Sequence, residues 1–402
     1  MKHRLFFLLS VFCACTLSRA AEPTPRYFSA KPGALIKAKE KLAAGDKSLA
    51  RALKKLVADA EKALAETAPS VMHKDKLPPS GDKHDYMSLA PYFWPNPDTT
   101  DGLPYVRHDG KANPESRDPK ANDSPAIKVM GDNVETLALA YYFTGNETYA
   151  EGAAKVARTW FLDPATRMNP HLKYAQAIMG VNEGRGTGIL EAIHISVAAD
   201  ALGLLVESKA WPKDNQKALK EWLRTYHDWL IESDPGKDER RAKNNHGTFY
   251  DVQAVRIALV IGRIDPAKRI LEEAKQGRIA AQIEPDGKQP LELDRTTSFS
   301  YSRFNLEALT ELATLGEHAG VDLWNFTTED GRSVRKAIDY MLPYADVPPK
   351  PWPLQQIKEK RESEFMPIFR RATLAYGGDA YEAIIGKYED APSKRFQLLI
   401  AE

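Results

Sequence analysis

From residue 124 to the C-terminus one pattern recurs: apolar residues return at helical spacing, segment after segment, with short links between. The segments run 124–143, 147–161, 187–206, 213–232, 248–262, 265–283, 302–319, 331–344, 354–374, 378–386 and 392–400. Gly145, Gly262, Gly320 and Gly377 follow apolar runs and read as helix stops. Residues 30–66, rich in Ala, Lys and Leu, add two helices broken near Gly45-Asp46. Strand-like alternation is scarce; Asp286-Gly287, within 282–293, favours a tight hairpin turn. No fixed-period repeat and no clean linker divides the chain. So many helices must cover one another's apolar stripes. The expectation is an all-α fold, an incomplete (α/α) toroid of about six to seven helical hairpins. It would form one domain over 21–402, with a two-domain helical protein as the alternative.

Residues 68–122 break this pattern. They are rich in Pro, Gly, Asp and Asn, yet carry Tyr86, Tyr92, Phe93, Trp94 and Tyr105. A loop of this length inside a domain is functional or disordered, and the aromatics argue for order. It is expected to wall a cleft, with Tyr86 and Trp94 touching ligand. The competing reading is that the aromatics pin the loop to the core.

At the N-terminus, basic Lys2, His3 and Arg4, apolar 5–17 and a small-residue site before Ala21 read as a signal peptide over 1–20. The run is short for a membrane span. The expected location is periplasmic or secreted, with Cys15 as a lipid-anchored cysteine the minority alternative. Both cysteines, Cys13 and Cys15, fall in this segment, so the mature chain would carry no disulfide. Removing Lys2, Arg4 and Arg19 takes the basic count from 56 to 53, against 55 acidic residues. That near-neutral balance argues against a nucleic-acid partner. Any polyanion must be met by local positive charge. A monomer is expected.

Four stretches carry candidate chemistry. The first is the aromatic run from Asp85 to Pro97. The second holds Tyr174 and Gln176, then Arg185 among Gly184, Gly186 and Gly188. Glycines there would let backbone approach a ligand, and Arg185 would hold a carboxylate. The third is Asn244-Asn245-His246 before an apolar helix, where one Asn is an N-cap and the other groups remain to face a cleft. The fourth runs from Glu292 through Arg295, Tyr301 and Arg303 to Asn305. There is no metalloprotease helix motif and no serine elbow. Asn, His, Arg and Tyr together suit removal of a proton α to a carboxylate, whose charge donors must first neutralise. In a uronic-acid polymer that is β-elimination across C4–C5.

The runs from Asp85 to Tyr92 and from Asn244 to Gly247, and Glu292-Leu293-x-Arg295 with Tyr301, resemble the alginate lyase superfamily of α/α-toroid polysaccharide lyases, family five and relatives such as family thirty-eight. The resemblance covers about residues 80–320. It implies that Asn245 neutralises the carboxylate, His246 is base or neutraliser, Tyr301 is base and acid, and Arg295 supports Tyr301 or the substrate. The Arg-to-Tyr interval is one residue shorter than in family five, so Arg295 and Arg303 both stand as candidates. Tyr86, Trp94, Tyr174, Gln176, Arg185, Asn244, Arg303 and Asn305 are the expected substrate-binding residues. Arg295 and Arg303 are expected to lower the Tyr301 pKa toward a working phenolate. The substrate would be an anionic polysaccharide, alginate first, with glucuronan or another polyuronate as alternatives. A glycoside hydrolase using Glu183 with Glu292 or Asp294 is the rival enzyme, and a non-catalytic sugar-binding protein the rival outside catalysis. No cofactor or metal is required, although the acid-rich loop from Asp98 to Asp101 is a candidate for a structural cation.

Overall fold

Helical spacing becomes helices that end where glycine turns the backbone left-handed. Gly145 and Gly262 close the helices Ser124–Thr144 and Asn245–Ile261 with φ of 69° and 84°, a region open to glycine without a Cβ clash. The computed structural model describes residues 26–388 and 394–400. The expected signal segment, with Cys13 and Cys15, lies outside the described residues.

In chain order the α-helices are α1 Ala34–Ala43, α2 Lys47–Ala65, α3 Ser124–Thr144, α4 Glu147–Ala157, α5 Ile193–Ala201, α6 Lys213–Glu232, α7 Asp234–Arg241, α8 Asn245–Ile261 and α9 Ile264–Ala274. They continue with α10 Pro290–Leu293, α11 Ser298–Ala319, α12 Val334–Met341, α13 Met366–Tyr376, α14 Asp379–Ile385 and α15 Phe396–Leu399. The architecture is an α/α toroid. Helices α3, α5, α8 and α11 pack on one another in succession, with α4, α6 and α9 against their outer sides. A single hydrophobic cluster takes in side chains from Tyr27 to Ile400. Helix α8 is central to it: every residue except His246 and Val260 is buried.

Three expectations change. The stretch 354–361 is not helical. Its backbone caps α11 instead: Ser298 N donates to Gln355 O at 3.1 Å and Ile357 N to Thr296 O at 3.0 Å. Around Asp286-Gly287 the turn forms, with Glu284 N donating to Lys288 O at 2.8 Å, but no strands flank it, because Pro290 begins α10. Helix α7, which lacks a long apolar stripe, was not expected from sequence; Ser233 caps it and Pro235 occupies its first turn. The run Gly186–Leu205 is long and apolar enough to cross a membrane, but 67% of its apolar window is buried inside the fold.

The long loop is ordered. Strand β1 (Met87–Leu89) pairs in parallel with β4 (Tyr174–Ala177), and β2 (Phe93–Trp94) pairs antiparallel with β3 (Val106–Arg107). Its two ends meet in a buried ion pair, Lys74 Nζ to Asp123 Oδ2 at 2.9 Å. Lys74 also donates to Val71 O and Lys83 O, at 2.7 and 2.8 Å, and Asp123 accepts from Met87 N at 2.9 Å. Burial pushes the Asp123 carboxyl up to about 6 and the Lys74 ammonium down, while each partner pulls the other way. Asp123→Ala is expected to destabilise the fold by about 3–5 kcal/mol, because it strands a buried cation. The check is a lowered midpoint in thermal or urea unfolding.

Candidate active site

The N-terminus of α8 opens into a cleft of about 680 Å³. Asn244 is its N-cap; Oδ1 accepts from His246 N at 3.3 Å. Asn245 is buried behind it and clasps Glu292 of α10. Its backbone N–H donates to Glu292 Oε1 at 2.7 Å, and Nδ2 donates to both carboxylate oxygens at 3.0 and 2.7 Å. Burial pushes the Glu292 carboxyl up, against these hydrogen bonds. The amide donors of Asn245, expected to face substrate, are thus engaged by Glu292, and its buried Oδ1 has no partner. His246 lines the cleft, with Nδ1 2.7 Å from Glu239 Oε1 on α7.

Opposite groups come from α11 and the long loop. The Tyr301 hydroxyl accepts from Arg295 Nη2 at 2.8 Å and lies 2.9 Å from the Tyr92 hydroxyl. The Arg295 guanidinium also lies over the Tyr301 ring, 3.7 Å from its centroid. Asp109 fixes Arg295 through contacts at 2.6 and 3.2 Å and accepts from Thr296. Burial alone would raise the Asp109 carboxyl, but Arg295 and Thr296 hold it well below the usual carboxylate range. The expected lowering of Tyr301 does not prevail. Burial and the Tyr92 hydroxyl push its phenol well above the ordinary value, and Arg295 offsets this only in part. Arg295, not Arg303, touches Tyr301: Arg303 lines the cleft but pairs with Glu307 at 2.6 Å and Glu364 at 3.2 Å.

Arg185 and Gln176 form one side of the cleft together. Arg185 donates to Gln176 O at 3.1 Å and Oε1 at 2.8 Å, and its guanidinium lies 5.3 Å from the Phe93 ring centroid. Burial lowers the Arg185 pKa. Gln176 takes a left-handed φ of 50°, held by Ser88 Oγ on its N–H and by Glu191 on its amide. The glycines beside Arg185 serve chain packing. A Cβ on Gly184 would meet Lys173 O at 2.1 Å, and one on Gly186 would meet Pro235 O at 2.7 Å.

Four expected binding residues stand away from the cleft. Tyr86 is fully buried and donates to Glu191 Oε2 at 2.6 Å. Tyr174 is buried beside His171, and Asn305 is buried with its amide on Gln282 and Gln289. Trp94 donates its indole N–H to Lys111 O at 2.9 Å, which ties down the loop. Tyr92 and Phe93, expected only as members of the aromatic run, line the cleft, as do Arg107, Thr187, Ser300 and Lys358, to which sequence reasoning gave no role. Nothing in the run from Asp85 to Pro97 marks which aromatics face outward. The lining residues include Arg107, Arg185, Arg295, Arg303 and Lys358 but no carboxylate. The hydrolase reading fails there: Glu183 is exposed away from the cleft, Glu292 is bound by Asn245, and Asp294 is not in the lining. Among the described residues no three His, Cys, Asp or Glu side chains are grouped to hold a metal ion, the loop from Asp98 to Asp101 included.

The alginate lyase family profile matches residues 70–352. The chain belongs to the alginate lyase family. An alginate lyase structure from Bacteroides ovatus is 43% identical, with a TM-score of 0.88, over 94% of this chain and 99% of that one. Alginate lyase A1-III from Sphingomonas species A1 shares the fold at 16% identity and a TM-score of 0.63, over 94% and 98% of the two chains. A variant of A1-III complexed with tetrasaccharide matches at 16% identity and a TM-score of 0.62, over 95% and 98%. No curated protein matches the chain.

For this alginate lyase family member, the placement of the aromatics separates two roles. Phe93→Ala removes the ring beneath Arg185 and is expected to weaken oligouronate binding roughly fivefold, the worth of a partly exposed cation–π contact. Trp94→Ala should instead lower the melting midpoint and leave Kd unchanged. Calorimetric titration and thermal unfolding of both variants check this.

Proposed function

We propose that this lyase cleaves a 1,4-linked uronic-acid polymer, alginate first, by β-elimination that leaves an unsaturated end. The observation that carries the reading is a cleft lined by five permanent cations and no carboxylate, with the hydroxyl of Tyr301 and the imidazole of His246 on its walls. A uronate brings a negative charge on every residue, so such walls select it. Neutralising that carboxylate makes its α proton, on C5, removable.

Arg185 and Arg295 meet the substrate carboxylate first. The amide of Asn245 is spent on Glu292, so Asn245 acts by fixing the α8 N-terminus that carries His246. Tyr301, protonated at neutral pH because burial raises it, is ready to give its proton to the departing O4. When proton and leaving group lie on the same side of the ring, as in mannuronate-type linkages, Tyr301 must first become phenolate. Arg295 at 2.8 Å is the group that stabilises that anion. When they lie on opposite sides, His246 takes the C5 proton while Tyr301 protonates O4. The basic, apolar, small-residue order of residues 2–21 supports export to the periplasm or medium.

The test is the ultraviolet absorbance of unsaturated ends released from mannuronate blocks, guluronate blocks and glucuronan. Wild type should produce it on at least one polymer. Tyr301→Phe should fold and bind yet lose nearly all of it; appreciable elimination by that variant removes Tyr301 from the reaction. Where Tyr301 must act as phenolate, kcat/KM should rise with pH through the alkaline range, since higher pH populates the anion. A profile that falls there rejects the phenolate step.

A further inference from the structure

Glu239 had no place in the sequence reading. It sits on α7, only 2% exposed, with Oε1 2.7 Å from His246 Nδ1 and Oε2 buried without a partner. A carboxylate oxygen accepts, so this contact favours the ring hydrogen on His246 Nδ1. In the neutral ring the lone pair then resides on Nε2. The contact is built in rather than incidental. Gly186, next to Arg185, packs against α7 so closely that a Cβ there would lie 3.2 Å from Glu239 N as well as against Pro235 O. Helix α7 is thereby wedged between the Arg185 segment and the start of α8.

We propose that Glu239 is a positioning residue for opposite-side elimination: it holds His246 in the Nδ1–H tautomer, so that Nε2 is the base for C5. The inference rests on the lyase reading above. In the step itself the C5–H bond breaks and its proton goes to Nε2. The C5 electron pair becomes the C4–C5 double bond, the C4–O4 bond breaks, and Tyr301 supplies the proton to O4. Glu239 stabilises the imidazolium that results and takes no proton itself. Solvent exchange then returns a proton to Tyr301 and removes one from His246.

Glu239→Leu keeps the bulk but offers Nδ1 no acceptor, which frees the ring to carry its hydrogen on Nε2. Nitrogen-15 histidine spectra of the full chain should show His246 with its hydrogen on Nδ1 in wild type and on Nε2 in the variant. On guluronate blocks kcat should fall about 10–100-fold, the loss typical when a partner orienting a functional histidine is removed, with KM little changed. The loss on mannuronate blocks should be smaller, and Glu239→Asp should recover part of the guluronate rate. An unchanged tautomer in Glu239→Leu overturns the proposal, as do equal losses on both polymers with a lowered melting midpoint. A wild type active on mannuronate but inert on guluronate overturns the base assignment. If no polymer yields unsaturated ends, the lyase reading fails, whereas the spectra still decide what Glu239 does to His246.

Discussion

The clasp between Glu292 and Asn245 is the contact on which the cleft depends. A carboxylate taken out of water is costly unless hydrogen bonds compensate it. Here it lies at the N-terminus of the innermost helix, where orphan N–H groups and the helix dipole favour negative charge. Asn245 answers with its backbone N–H and its amide. The clasp fastens α8 to α10, and three residues beyond Glu292 comes Arg295, which holds Tyr301. His246 and Tyr301, 55 residues apart in sequence, thus share one mechanical reference.

Around this reference the charge is sorted by depth. Carboxylates lie behind the walls: Glu292 under Asn245, Glu239 behind His246, Asp109 behind Arg295, Glu191 behind Gln176. Cationic and neutral groups face the cleft. A chain whose total charge is close to zero therefore presents a groove whose lining charges are all positive, and each acid fixes the orientation of the group in front of it.

The fold was largely legible because helical periodicity and glycine stops are local signals, and α3, α8 and α11 follow them closely. Two failures have the same origin. Helix α7 is short and polar, so its reason for existing lies in what packs on it. Residues 354–361 carry no mark that their backbone caps α11. Asn244, Asn245, His246, Arg295 and Tyr301, which line the cleft, stood out in the sequence because unlike polar types crowd next to apolar runs. Tyr86, Tyr174 and Asn305 looked similar but spend their polar atoms on Glu191 or on Gln282 and Gln289, or pack beside His171. Sequence shows that a polar group needs a partner, not whether the partner is protein or ligand. Glu239 was missed for the complementary reason: one acid in a charged run looks like a solvated face.

The Lys74–Asp123 pair closes residues 75–122 into a ring held by charge. Closing a loop of that size has an entropic cost that many proteins meet with a covalent crosslink. No cysteine occurs among the described residues, so this wall of the cleft holds no disulfide. A reducing environment has no bond there to break. The loop is closed by charge and depends on staying dry at that ion pair.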